Sequence, residues 1–592
     1  MRAALVHRVR AEISSADGKT SRYPEEDHNM AVKVKDLKYE RIDVEKASEF
    51  IATCTARAAA ANSAEELVSI REELNAKLDE CFTMSSLAAI RNSLNVRDEF
   101  YSKEKDYYNE TMPSLSARLT AFNKALMASA HYGAFKKLVN PLIIMNMEAA
   151  VRVMDDKIID DCVEENKIST DYARLLAELK FPWNGGTVTI GEMRGIAKDA
   201  DREVRKKAFS VIGETLASVS DKLDGYYDKL VGIRTRMAKK MGFADYVEMG
   251  DLRMGHIGYG RKEIAVFRES VLNDVVPALV KLKAALCKKH GWDKTYIYDN
   301  DNYIVGGNID PVGTAEQLIA AAQSMYDEMR PELGKFFKSM CDAEAIDYIA
   351  RDGKECGGYA EMIYGYGQPF IFANFNGTMD DVGVLTHELG HAYAFERAAA
   401  NKIDRDLFVG SMETAETHSM GMEALCNRYN AKFYGDRADE ATYQQIFDAF
   451  NFLPYGVIVD YFQELVYKSP DMTPAERKAL WLDLEKRFRP YLDMSGVPYI
   501  EDGGRWQYQS HIYEVPFYYI DYCLSTCLAL QFGELASADY ADALDRYLKL
   551  VEKGGTKTID VLAHEAGLMS PFDKGALKKL CKQVTEHILE LE

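Results

Sequence analysis

The chain has 592 residues, 47% of them hydrophobic and 28% charged, with a formal net charge of −20. That length exceeds what one core usually organises, so two or more lobes are expected, and the composition excludes disorder at scale. Such an acidic balance disfavours nucleic acid and anionic membrane surfaces as partners, and no stretch approaches the roughly 18 apolar residues of a membrane span.

Residues 1–29 are polar with scattered charges and read as a disordered extension; Met30 looks like a natural start. From Val44 to Leu179 the apolar spacing is helical, with Ala64–Leu87 and Ser114–Leu126 the clearest segments. Ser63 with Glu66 caps one helix, and Pro113 sits where another would start. The Phe181-Pro-Trp-Asn-Gly-Gly186 break marks a lobe boundary, dividing a helical lobe, 30–182, from a catalytic region, 183–592. Helical signals resume over Ile196–Met241 and Lys262–His290. Tyr296–Gly307 and Asp347–Phe375 are instead β-like, with turn glycines around them. Helices are expected onward to the end, broken near Pro470, Pro490 and Gly496–Arg505. The fold class is therefore mainly α, with a small β-sheet ahead of one particular helix. Ten dispersed cysteines without a C-x-x-C pair point to free thiols in a reducing compartment, the cytoplasm. A monomer or a small homo-oligomer both fit.

That helix carries Thr386-His387-Glu388-Leu-Gly-His391-Ala. Histidines four apart share a helix face, so two imidazoles can reach one zinc ion while Glu388 meets a water on it. Thr378 and Asp381 form a capping-box-like start. Gly390 costs a helix about 1 kcal/mol relative to alanine, which implies that something approaches the backbone there. A zinc hydrolase needs a third protein ligand. Glu413, Glu416 and Glu423 all fall within one broad helical face, and spacing does not choose among them. Further on, Tyr519 and Tyr522 are i,i+3 on a helix beginning near Pro516, with Tyr518 pointing elsewhere.

The motif, together with Met412-Glu-Thr-Ala-Glu416-Thr-His-Ser-Met-Gly-Met-Glu423, resembles the oligoendopeptidase F group of the thimet oligopeptidase family. So do Gly357-Gly-Tyr359, Pro369–Gly377 and Val515–Tyr522. The resemblance implies two helical lobes flanking a deep substrate channel, one zinc ion per chain, and short peptides as substrates. It selects Glu416 as third ligand and leaves Glu423 as support for a ligand imidazole; His418 reads either as the same kind of support or, the favoured reading, as a core histidine. It matches His511, Tyr519 and Tyr522 to a histidine and two tyrosines that stabilise the oxyanion, although His511 needs a one-residue difference in spacing. The β-like stretch, at Gly358, Phe372, Ala373 and Asn374, would either hold substrate backbone as an edge strand or be a small structural hairpin. The Gly503-Gly504 loop would flex over it. The expected activity is metal-dependent endopeptidase; alternatives are a helical zinc carboxypeptidase or dipeptidase, and a non-catalytic peptide-binding scaffold.

Overall fold

The structure, a computed structural model, describes residues 32–592, so the expected extension 1–29 lies outside the described residues. The chain is mainly helical, with two small sheets among the described residues. No described helix is long and apolar enough to cross a membrane. The chain forms two compact units, each drawn from three segments. The first takes the described part of Met1–Ile159 with Pro311–Phe433 and Ala541–Ala566; the second takes Asp160–Asp310, Tyr434–Tyr540 and Gly567–Glu592.

In the first unit, helix Ala64–Leu94 starts as its sequence predicts. The Ser63 hydroxyl accepts the Glu66 N–H at 3.1 Å, and the Glu66 carboxylate accepts the Asn62 N–H at 2.8 Å. Pro113 does not start a helix; it lies inside Glu99–Ala128. An interior proline costs a helix about 3 kcal/mol. Here Leu115, Phe122 and Leu126 share a buried core with Leu67 and Leu74, and that packing carries the helix through. A three-stranded sheet follows: Ile346–Ile349, Tyr359–Ile363 and Gln368–Phe375. The last strand is the middle one, parallel to the first and antiparallel to the second.

In the second unit, the Phe181–Gly186 break is a hairpin. Phe181–Trp183 pairs with Gly186–Val188 through Asn184 and Gly185, both at positive φ (48° and 85°). An Asn-Gly pair suits that turn because both residues tolerate the left-handed region. Tyr296–Gly307 is not a strand pair as expected. It makes one bridge, Tyr296 to Asp493, and a short 3-10 turn, Ile297–Asp299. The buried Asp299 carboxylate, paired with Arg202 and Arg205 at 2.9 and 2.8 Å, draws the segment into a loop. The long helix Ala438–Lys468 packs on Pro474–Phe488 and Tyr519–Ala538, with Phe462 edge-on to Trp481.

Candidate metal centre and a histidine–tyrosine cluster

The H-E-x-x-H sequence lies on helix Met379–Ala400 of the first unit. Its start differs from a capping box: the Thr378 side chain makes no cap bond. Asp381 instead accepts the Asn376 and Gly377 N–H groups at 2.9 and 2.7 Å. A reciprocal box uses the longer Glu or Gln; the aspartate here serves the two residues ahead of the cap. The His387 and His391 rings come within 4.9 Å of one another, centroid to centroid.

Glu416 arrives on the neighbouring helix Met412–Cys426. Gly390 is the reason the two helices can come so close. A Cβ there would stand 2.7 Å from both the His418 carbonyl oxygen and the Ser419 Cα. One Glu416 oxygen, Oε2, lies 3.2 Å from His387 Nε2 and 3.6 Å from His391 Nε2. Donors held tetrahedrally at zinc distances of about 2.0–2.1 Å stand roughly 3.3 Å apart, so both distances to Glu416 suit a shared zinc ion. Among the described residues, these three form the group of metal-ligating side chains close enough to share one cation. Glu413, the remaining candidate, is buried and bonded by the Ser411 hydroxyl.

The surroundings hold the donors in place. His387 Nδ1–H donates to Glu423 Oε1 at 2.7 Å, which leaves Nε2 to face Glu416. The Ser419 hydroxyl donates to Glu416 Oε2 at 3.0 Å. Burial opposes charge on His387, but Glu416 and Glu423 outweigh it and hold its pKa well above the ordinary value. Burial opposes ionisation of Glu416 too, yet His387 and His391 keep its pKa well below normal. Glu388 is only 7% exposed, and burial raises its pKa. A Cβ on Gly358 would be 3.7 Å from Glu388 Oε1, so the strand leading into Tyr359 passes beside that carboxylate. His418 is a core residue, fully buried, its pKa pushed down to about 3 by burial.

In the second unit, His511, Tyr518, Tyr519 and Tyr522 form a half-buried cluster. His511 lies 4.9 Å from Tyr519 and 6.1 Å from Tyr522, centroid to centroid, and Tyr519 is 5.7 Å from Tyr522. The helix begins at Tyr519 rather than near Pro516, and Tyr518 joins the cluster at 4.9 Å from Tyr522. Burial lifts the Tyr519 pKa well above normal, so its hydroxyl keeps its proton.

The segment is anchored behind the rings. Phe517 is buried with φ of 72°, a strained conformation for an aromatic residue. Its N–H donates to Gln463 Oε1 at 3.2 Å, and the Arg261 guanidinium lies 4.2 Å over its ring. A Cβ on Gly250 would be 2.6 Å from that ring. Asp521, on the buried face, meets His256 Nε2 at 2.9 Å. His256 in turn meets Asp251 at 3.0 Å, and Arg261 pairs with both Asp251 and Asp460. The Gly503-Gly504 pair is not an open loop: both residues are buried against Lys478 and Tyr499.

Comparison with known proteins decides the family. The model for the peptidase M3 N-terminal domain matches residues 34–154, and the model for peptidase family M3 matches residues 196–581. The chain belongs to peptidase family M3. This M3 chain is 34% identical to the solved structure of PZ peptidase A with an inhibitor, over 94% of its own length and 99% of that chain, with a TM-score of 0.90. A Bacillus anthracis protein described as an oligoendopeptidase F is 31% identical over 95% of this chain and 98% of its own, with a TM-score of 0.85. Oligopeptidase PepF of Bacillus subtilis is 22% identical over 447 residues; the match covers 70% of this chain but only 62% of PepF.

Within the M3 chain the strand residues divide. Phe372 and Ala373 lie inside the sheet, not at its edge. Phe372 is opposite Asp347 on one side and Tyr359 on the other, and the Ala373 carbonyl accepts from the buried Lys354 ammonium. Their backbone groups are therefore unavailable to an added strand. The Asn374 amide donates to the Glu355 and Gly357 carbonyls at 2.9 Å each, fixing the loop that carries Gly358. Gly358 and strand Tyr359–Ile363 remain as the edge beside Glu388. Alternating hydrophobicity marked the strands but not their order; the fully buried run Phe370–Ala373 was the available sign of a central strand.

Proposed function

We propose that this M3 chain is a zinc-dependent endopeptidase of the oligoendopeptidase F type, cutting internal bonds of short, unstructured peptides in the cytoplasm. The observation that supports it most is the convergence of His387, His391 and Glu416 beside an acid, Glu388, that is not one of the donors. The family membership and the fit of the donor set to zinc support one ion per chain. When bound, that ion supplies Lewis acidity, which brings the pKa of a water to about 7 and polarises a carbonyl.

The chain's own residues do the rest. Glu388 takes the proton of the attacking water and passes it to the leaving amine; its raised pKa suits it to both transfers. Glu423 holds His387 in the tautomer that presents Nε2. A peptide adds as an extra strand along Gly358–Tyr359, held by backbone bonds that read no particular side chain. Tyr519, Tyr522 and His511 donate to the oxyanion, a role supported by the resemblance and, for Tyr519, by a hydroxyl that burial keeps protonated.

Digestion of a mixture of end-blocked peptides, read by mass spectrometry with and without chelator, tests this. Internal cleavage that chelator abolishes and zinc restores is expected. Removal of terminal residues only, or cleavage indifferent to chelator, contradicts it.

A further inference from the structure

The central strand of the three-stranded sheet does not pair evenly with its parallel neighbour. Asp347 stands opposite Phe372 and Ile349 opposite Phe375, so Tyr348 faces two residues, Ala373 and Asn374. Such a bulge breaks the ladder and turns its residues to other partners. Here both residues turn to the same loop. The Ala373 carbonyl accepts from the Lys354 ammonium, and the Asn374 amide donates to the Glu355 and Gly357 carbonyls at 2.9 Å each.

The Lys354 side chain is only 1% exposed. Its ammonium also donates to the Asp347 and Ile349 carbonyls at 3.1 Å each and to Asp347 Oδ1 at 2.6 Å. An ammonium has three protons and accepts nothing, so its whole capacity goes to the ends of two strands. Arg351 pairs with the same Asp347 at 2.7 Å, so that carboxylate has a second cation. What Lys354 adds is a link from the first strand, through the bulge, to its own loop. The Glu355 N–H fixes the loop further, donating to the Ser93 carbonyl at 2.8 Å. Gly358 follows directly. A Cβ on it would be 3.4 Å from the Phe372 carbonyl oxygen and 3.7 Å from Glu388 Oε1. Tyr359, next in the chain, is opposite Phe372, the last residue before the bulge. The place of Gly358 is therefore set from both sides, by strand pairing after it and by the pinned loop before it.

We propose that Lys354 is a positioning residue for substrate, its ammonium fastening the bulge to the loop so that the Gly358 backbone meets a peptide strand beside Glu388. It acts through Gly358 rather than on the peptide. The inference rests on the proposed reading that a peptide lies along Gly358–Tyr359. Without the ammonium, three buried carbonyls lack a donor, and the water admitted to supply one loosens the loop from the bulge.

The test is Lys354→Met in the full-length protein, with Asn374→Ala as a second way to release the loop and Arg351→Met as the control. Hydrogen exchange read by mass spectrometry follows residues 354–360 without substrate; steady-state cleavage of an end-blocked peptide gives KM and kcat. In Lys354→Met, exchange over 354–360 speeds up about tenfold and KM rises about tenfold, with kcat within about threefold and zinc content unchanged. Asn374→Ala shows the same pattern with KM raised about threefold. Arg351→Met, whose side chain bonds Asp347, Ile349 and Leu94, leaves KM within about twofold. A lysine serving stability alone would lower Tm and leave KM of the folded enzyme unchanged, and that result overturns the proposal. If Lys354→Met does not fold, an unchanged KM in Asn374→Ala overturns it equally. Absence of chelator-sensitive cleavage by the unaltered protein is a different failure, which overturns the reading of the site and this proposal with it.

Discussion

In the first unit, three candidate metal-ligating side chains come from two helices that meet closely at one glycine. In the second, four rings hang on a segment held by a strained Phe517 and a buried His256 between two aspartates. The first arrangement is local: His387 and His391 share a helix face by spacing alone, and only Glu416 has to be brought in. The second is assembled from distant stretches, since Gly250, Arg261, Tyr455 and Gln463 all reach the segment from elsewhere in the chain. A ligand set tolerates little displacement, and rigid helices supply that. In the proposed reaction the rings would act as oxyanion donors, which need an orientation, and a braced loop would supply it.

If the two groups are built separately, damage to each should have its own signature. The largest effect is expected from His391→Ala, which removes a ligand: metal content drops from one per chain to near zero, and turnover falls at least about 10⁴-fold. Metal analysis and circular dichroism on the same sample check that the fold remains. Tyr519→Phe should lower kcat by about 10²–10³-fold while metal content is unchanged, the reverse signature. Coupled loss of metal in that variant would erase the distinction. Glu423→Ala should weaken zinc affinity by about 10–100-fold, read by competition with a chromophoric chelator, and leave kcat of the zinc-saturated enzyme within a few-fold.

The smallest and sharpest pair is Gly390→Ala against Gly250→Ala. Each adds a Cβ into a contact under 3 Å, against backbone in the first case and against the Phe517 ring in the second. Each is expected to cost about 1–3 kcal/mol of stability, read as a lower Tm. Gly390→Ala should also weaken metal binding, because the helix carrying Glu416 is pushed away. Gly250→Ala should leave metal binding alone and lower kcat.

Much of the first unit's site was legible in the sequence. The two histidines, the proposed base, and the close approach implied by Gly390 all follow from one helical repeat. The proposed third ligand did not: Glu413, Glu416 and Glu423 share a face, and in the sequence only the resemblance separated them. The sheet was legible as strands, but its order was not, because alternation says which face is buried and nothing about which strand is central. Pro113 and Tyr296–Gly307 were misread for a common reason. Tertiary contacts, a hydrophobic core in one case and a buried Asp299 in the other, overrode local preference.

Everything depends on Glu388 being the proton carrier at a centre that other residues hold. Glu388→Gln, measured for zinc content and for cleavage of an end-blocked peptide in one preparation, tests this most directly. Full zinc content with cleavage reduced by about 10⁴-fold is the predicted result. Retained cleavage, or loss of the metal along with the activity, would contradict it.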